Sequence, residues 1–245
     1  MKITLSTSGI IGINLINKLF DLQYVPSDLE VWCAWDKSNR ELIEFCQLRK
    51  IPVSFINDAT DFDKVSVNGD LLLSVVGIPL LIPNQIIEQF PLKAINLHPA
   101  DTEKYRGRWM VSWCLINQET NVGYTWHYMN NRYDTGNILL KHDFLIDKND
   151  TALSLNARIF SHAVHHLQNL LDLVGTLGTP PATFGTYYNQ SIPYQGKIQQ
   201  NWSEEEIDRF VRAMYHPPYT PAIFEKNGQL HLIESFQDYY IAQRS

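Results

Sequence analysis

The chain has 245 residues, 44% of them hydrophobic and 12% aromatic, with a net charge of −6. That length supports a sizeable core without staples, that composition excludes a disordered chain, and that charge argues against a general nucleic-acid binder, whose phosphate contacts need a clustered cationic face. Cys33, Cys46 and Cys114 form neither a CxxC pair nor an even framework, and no apolar run approaches the roughly 20 residues that span a bilayer, so a cytoplasmic protein with no metal and no membrane contact is expected.

In chain order, "MKITLSTSGIIGINLINKLF" reads as a strand over Lys2–Ser6 and a helix to Leu22 entered between Gly9 and Gly12, not as a signal peptide. A second strand is predicted at Leu29–Trp35, a charged helix at Asn39–Arg49 and a third strand at Val53–Ile56. "GDLLLSVVG" is apolar on both faces, as in a central parallel strand. Pro83 opens a helix over "PNQIIEQF", and Ala94–Leu97 is the next buried strand. The alternation predicts an α/β fold with a doubly wound, mostly parallel sheet.

Beyond Gly107, "RWMVSWCLIN" reads as a helix, and "NVGYTWHYMN" and "GNILLKHDFLI" as two strands joined by a loop holding "NRYDTG". An Asp-Thr cap starts one long amphipathic helix running to Gly175. The Gly/Thr/Pro-rich stretch after it predicts a boundary, with a catalytic domain at 1–175 and a small module at 176–245. That module reads as a capped helix, "NWSEEEIDRFVRAMY", and a hairpin turning at Asn227-Gly228. His162, His165 and His166 fall at metal-ligand spacing on the long helix, but no acidic or Cys partner is evident and a solvated helix surface is expected.

Asn96 and His98 stand at the carboxyl end of a central strand, where open α/β sheets bind ligands. Asp134 follows in a loop ahead of Thr135 and Gly136. Singly, an Asn-x-His is most often a capping amide beside a satisfied histidine, and Asp-Thr-Gly is ordinary turn chemistry. Together they offer an oxyanion donor, a proton carrier and a carboxylate to orient it. No nucleophilic Ser or Cys motif accompanies them, so the set suits direct acyl transfer to an amine.

"INLHPADTEKYRG" followed by "VGYTWHYMNNRYDTGNILL" closely resembles the folate-dependent formyltransferases over Ile95 to Leu140. The resemblance implies that Asn96, His98 and Asp134 are catalytic and that the cosubstrate is N10-formyltetrahydrofolate. It implies a pterin held around Val76, Gly77, Ile78, Leu80 and Ile82 and by Asn130, Tyr133 and Asp134. Ala100–Glu103 and Arg108–Met110 depart from the family's usual residues beside the acceptor entrance.

Among the branches, methionyl-tRNA and glycinamide ribonucleotide formyltransferases fit the short acidic tail poorly. The sugar N-formyltransferases resemble it in their Trp-Ser, Arg-Ala and Pro-Pro-Tyr elements. The implied acceptor is therefore a nucleotide-linked amino sugar, foremost dTDP-4-amino-4,6-dideoxyglucose, used for surface polysaccharide or O-antigen. Lys104, Tyr105, Arg106, Arg108, Trp109, Trp202 and Tyr219 are the acceptor-binding candidates, with Tyr215, Phe224 and Arg212 as further aromatic and cationic options. The apolar tail also leaves room for a homodimer through the C-terminal hairpin. A formyltetrahydrofolate hydrolase and a non-catalytic folate or nucleotide binder are the competing readings.

Overall fold

The computed structural model describes residues 1–189 and 191–244. Its first half alternates strand and helix: β1 (Ile3–Thr7), α1 (Gly9–Asp21), β2 (Leu29–Cys33), α2 (Arg40–Arg49), β3 (Val53–Phe55), β4 (Leu71–Val75), α3 (Asn84–Ile87) and β5 (Ala94–His98). Then follow β6 (Tyr105–Gly107), α4 (Met110–Ile116), β7 (Asn121–Tyr128), β8 (Ile138–Leu145), α5 (Ala152–His165) and α6 (Leu167–Leu171). The remaining elements are β9 (Thr186–Tyr188), α7 (Glu204–Met214), β10 (Ala222–Lys226), β11 (Gln229–Ile233) and α8 (Phe236–Arg244).

Seven strands form one sheet in the order β3-β2-β1-β4-β5-β7-β8. The neighbours from β3 to β5 are parallel, and β5 pairs antiparallel with β7. The expected doubly wound, mostly parallel architecture is borne out, with the strand order reversing between β1 and β4. Every residue of β1 and β4 is buried, the polar Thr4, Ser6, Thr7 and Ser74 included, as in central parallel strands covered on both faces. One face packs Trp32, Phe62, Leu72, Ile86 and Phe90 into a common cluster. On α1, Gly12 faces Thr7 and Leu42, and a Cβ there would lie 2.8 Å from the Thr7 methyl. The missing side chain lets this helix approach the sheet and α2.

The fold divides into two interleaved units. The first comprises Met1–His98, Thr125–Lys141 and Ser161–Thr183, and the second Pro99–Tyr124, His142–Phe160 and Phe184–Ser245. Inside the second unit α4 packs on α7, where the Ser112 hydroxyl donates to the Ala213 carbonyl at 2.7 Å. A capping box between Ser203 and Glu206 starts α7. Phe210, Val211, Met214, Ala222 and Ile233 are buried together there. The hairpin turns where expected, with Asn227 and Gly228 both at positive φ, the backbone that a two-residue primed turn demands.

Several elements differ from the sequence expectation, among them the unforeseen parallel pair β6–β9. The long helix breaks at His166 (φ −95°, ψ 22°), and α6 restarts with Leu167 and Leu170 both buried. α3 is a single turn. α8 carries no clear apolar period, yet it opens on a Ser235–Asp238 box in which Ser235 N–H donates to the carboxylate at 2.8 Å. Among the described residues no helix is long and apolar enough to cross a membrane.

All three cysteines are free and buried. Burial pushes the Cys33 thiol up to about 11 and the Cys46 and Cys114 thiols up to about 12, against roughly 8.5 for an exposed thiol. The folded state therefore holds thiol protons that the unfolded chain releases, so stability falls as pH rises above roughly 8.5. With a thiol-disulfide reagent at mildly alkaline pH, the native protein should react far more slowly than the urea-unfolded chain; equal rates would contradict the buried placement.

Candidate active site

The end of β5 carries the first two groups. Its register sets Asn96 opposite His127 and His98 opposite Thr125 on β7, with Ser74 of β4 beside Asn96 on the other side. Strand alternation points Asn96 and His98 to one face. His98 and His127 are 3% and 2% exposed, so neither imidazole is a surface group.

His127 was not singled out by the sequence, although its position two residues after Thr125 is the alternation expected of one strand face. Its Nδ1 lies 2.8 Å from the Tyr128 carbonyl, which can only accept, so Nδ1 carries the proton. Nε2 is then the acceptor, and it lies 3.3 Å from Asn96 Nδ2. The network thereby orients the Asn96 amide, with its NH2 toward His127 and a second Nδ2 hydrogen left over. One oxygen of Asp134, Oδ1, stands 3.4 Å from His98 Nδ1 and 3.5 Å from His127 Nε2. Both separations are long for hydrogen bonds, and with its Nε2 unprotonated His127 makes no ion pair with this carboxylate. The structure brings Asn96, His98 and Asp134 together and adds His127.

The loop carrying Asp134 is tied at both ends. Tyr128 N–H donates to the Asn137 carbonyl at 2.9 Å, and Asn130 Oδ1 accepts from Arg132 N–H and from the Thr135 hydroxyl, both at 2.9 Å. Asp134 itself sits at φ +55°, left-handed backbone that Asp tolerates better than most residues. Gly136 has no alternative, because a Cβ there would collide with the Tyr128 carbonyl.

Beside these groups lies a cavity of about 120 Å³, lined on its polar side by Ser74, Asn96, His127 and Asp134 and on its apolar side chiefly by Ile78, Leu80, Ile82 and Met129. Asn130 and Tyr133 also line it. Val76 and Gly77 instead shape the loop. Val76 has φ +49°, unfavourable for a β-branched residue, and its carbonyl accepts from the Ser8 hydroxyl at 2.8 Å. A Cβ on Gly77 would come within 2.6 Å of both the Ser6 and Ser74 hydroxyls, so only glycine lets the loop lie so close to the sheet.

The remaining candidates lie in the second unit. Lys104 pairs with Glu119 at 3.6 Å, and the Tyr105 hydroxyl donates to Glu119 at 2.8 Å. Burial pushes the Tyr105 phenol well above its usual range. Arg106 donates from Nε to the Gly185 carbonyl at 2.8 Å, with its guanidinium 5.6 Å from the Phe184 ring centre. Arg108 N–H donates to the Tyr188 carbonyl at 3.2 Å. Trp109 meets Tyr219 edge-on at 5.5 Å, and Tyr219 is 56% exposed. Trp202 packs against Tyr194 and Phe210, each 4.9 Å away, as part of the unit's core. Arg212 is held by Asp208 at 2.9 Å and by the Asp150 carbonyl at 2.8 Å. The His166 ring lies tilted against His162 at 4.2 Å and edge-on to His165 at 4.8 Å, and among the described residues no group of three or more ligating side chains could hold a metal.

Residues 59–171 match the family described as formyl transferase, which bears out the resemblance seen in the sequence. The chain is 35% identical over 161 residues to a GDP-perosamine N-formyltransferase of Brucella melitensis, covering 65% of this chain and 62% of that protein. It is 30% identical over 165 residues to a methionyl-tRNA formyltransferase of Clostridioides difficile, covering 64% and 52%. The matched stretch thus spans less than two thirds of either curated relative. The fold is similar to that of a 4-N formyltransferase from Francisella tularensis, with a TM-score of 0.75 at 19% identity over 95% of this chain and 96% of that one. It is also similar to an N-formyltransferase from Helicobacter canadensis in complex with folinic acid and dTDP-3-aminofucose, with a TM-score of 0.72 at 20% identity over 93% and 85%.

Two measurements check the geometry. Nitrogen NMR of the imidazoles should find His127 protonated at Nδ1 and bare at Nε2, with the Nε2 resonance moving in Asn96→Ala; an Nε2–H tautomer would contradict the network. Gly136→Ala should lower stability by at least about 2 kcal/mol in urea titration, as expected when a methyl has no space and the backbone must move.

Proposed function

We propose, from the formyl transferase match over residues 59–171 and the convergence of Asn96, His127 and Asp134 on one cavity with His98 3.4 Å from the Asp134 carboxylate, that this chain transfers a formyl group from N10-formyltetrahydrofolate to the amine of a nucleotide-linked amino sugar. The observation that carries the reading is the oriented Asn96 amide: a pre-aimed N–H donor beside a buried histidine and a carboxylate is the equipment for a carbonyl addition that makes no covalent enzyme intermediate. The family match and the folate ligand of the Helicobacter structure support the donor.

The residues fit such a group. A flat pterin would lie along Ile78, Leu80, Ile82 and Met129, with Asn130 and Tyr133 at the loop side and the glycine at 77 keeping backbone close. The folate supplies an electrophilic formyl carbon. Asn96 donates its remaining Nδ2 hydrogen to the formyl oxygen as negative charge gathers there, and His98 stabilises the same charge or carries a proton. His127 keeps the amide facing the right way. Asp134, as carboxylate, holds His98 in position and takes up the proton shed by the attacking nitrogen, directly or through water, for return to the departing N10. One C–N bond forms as another breaks, and the formyl group changes hosts without any redox step.

The acceptor we favour is dTDP-4-amino-4,6-dideoxyglucose, in a cytoplasmic step supplying surface polysaccharide, with the chain acting as a homodimer. The Brucella relative's GDP-perosamine makes a GDP-linked sugar the foremost competitor. A screen of dTDP-, UDP- and GDP-linked amino sugars with N10-formyltetrahydrofolate decides the matter. Formyl amide should appear with one of them, and Asn96→Ala or His98→Ala should cut turnover at least roughly a hundredfold. Folate release that ignores every sugar would leave a hydrolase instead, and normal turnover in either variant would remove that residue from the mechanism.

A further inference from the structure

The largest unexplained feature of the first unit lies at the other end of the sheet's carboxyl edge. Directly after β2, Trp35 is 65% exposed. It is nevertheless fixed in place. Its backbone N–H donates to Asn57 Oδ1 at 2.8 Å, and its ring meets Phe55 of β3 edge-on at 4.9 Å. The loop beneath it is anchored by buried Asn39, whose Nδ2 donates to the Ala34 carbonyl and whose Oδ1 accepts from Gly9 N–H, both at 2.9 Å. A large exposed indole on a backbone pinned at this point and braced at its edge by Phe55 is a surface available for contact.

Between Trp35 and α2 runs a groove of about 540 Å³ with Ile43 in its floor and Gln47 along its wall. That volume suits a small-molecule site. Its charges are mostly committed. Arg40 and Glu44 pair at 2.8 Å, and the Asp36 carboxylate accepts from Ser38 N–H at 2.8 Å and Asn39 N–H at 3.1 Å as a helix cap. Lys37 also lines the groove, and no ion pair engages it among the described residues. An open indole face with an uncommitted ammonium beside it suits a flat ring carrying an anionic group, and the end of β2 is where doubly wound sheets take the nucleoside end of a ligand.

We propose that this groove binds a nucleoside phosphate, its base against Trp35 and its phosphate toward Lys37. In the sheet order three strand spacings separate β2 from β5, roughly 14 Å. The nucleotide can therefore come from two sources: the nucleotide end of the acceptor proposed above, or a free nucleotide bound independently of catalysis. Binding itself does not rest on the formyl-transfer reading.

Titration calorimetry of the full chain with dTMP, UMP, GMP and AMP tests this. At least one should bind, Trp35→Ala should weaken it at least about tenfold, the loss expected for one base–aromatic stack, and Lys37→Ala should weaken the nucleotide but not its nucleoside. Both side chains are exposed, and circular dichroism verifies that each variant folds. Failure of all four nucleotides to bind at millimolar concentration, or unchanged affinity in both variants, overturns the proposal whether or not the chain transfers formyl groups. If it does, a raised acceptor KM with unchanged kcat in Trp35→Ala assigns the groove to the acceptor's own nucleotide. An unchanged KM with lost nucleotide binding assigns it to a separate one.

Discussion

The hydrogen bond between Asn96 and His127 exists only because β5 and β7 pair antiparallel in one register. A slip of β5 by a single residue would turn Asn96 and His98 to the opposite face of the sheet and leave His127 and Thr125 of β7 behind. In the observed register two polar residues from each strand share one face at the carboxyl end of β5. That placement is costly unless every group finds a partner. His127 resolves the cost through its fixed tautomer, giving its Nδ1 proton to a backbone carbonyl and accepting the amide. Buried hydrogen bonds of this kind hold their side chains stiff, and stiffness is what a donor aimed at a transient charge needs.

Strain is concentrated around the same cavity. Val76 and Asp134 both hold left-handed backbone, at a cost of roughly 1–3 kcal/mol each. In both places a glycine follows within two residues, and its missing side chain allows contact that any other residue would block: Gly77 against Ser6 and Ser74, Gly136 against Tyr128. The two loops that border the cavity are thus set by close packing on the sheet, and the carboxylate reaches the histidines because its loop has no slack.

How far the sequence reveals this depends on which physical signal each part carries. The doubly wound sheet is legible because apolar runs and amphipathic stretches alternate at short range. Asn96, His98 and Asp134 are legible through their motif. His127 lies within the stretch that carries the resemblance but gets no role from it, since a histidine on an alternating strand has the same pattern whether it faces a site or a core; only the register of a distant strand gives it a partner. The break at His166 and the helix at Phe236–Arg244 escape for related reasons. The first is set by where Leu167 and Leu170 find burial, and the second announces itself only through the Ser235–Asp238 cap. Aromatic residues show the limit most clearly. Trp32, Trp35 and Trp202 are alike as letters, yet one is buried in the sheet's core, one stands out on a braced loop and one packs within the second unit.

The acidic balance of the chain bears on how an anionic ligand could be held. In the second unit Lys104, Arg106, Arg158, Lys197 and Arg212 each have a carboxylate or carbonyl partner. Arg158, for instance, grips both oxygens of Asp150 at 3.0 Å. These cations hold segments of the fold together, and turning one toward a phosphate would leave a partner unsatisfied, partly offsetting the gain. A guanidinium with donors to spare can serve both ends, since among the described residues Arg106 commits Nε alone, to the Gly185 carbonyl, and Arg has five N–H donors. Recognition of a phosphate by such a chain has to come from shared guanidinium groups, backbone N–H groups and the few uncommitted ammonium groups, which favours selectivity by shape and stacking over bulk electrostatic attraction.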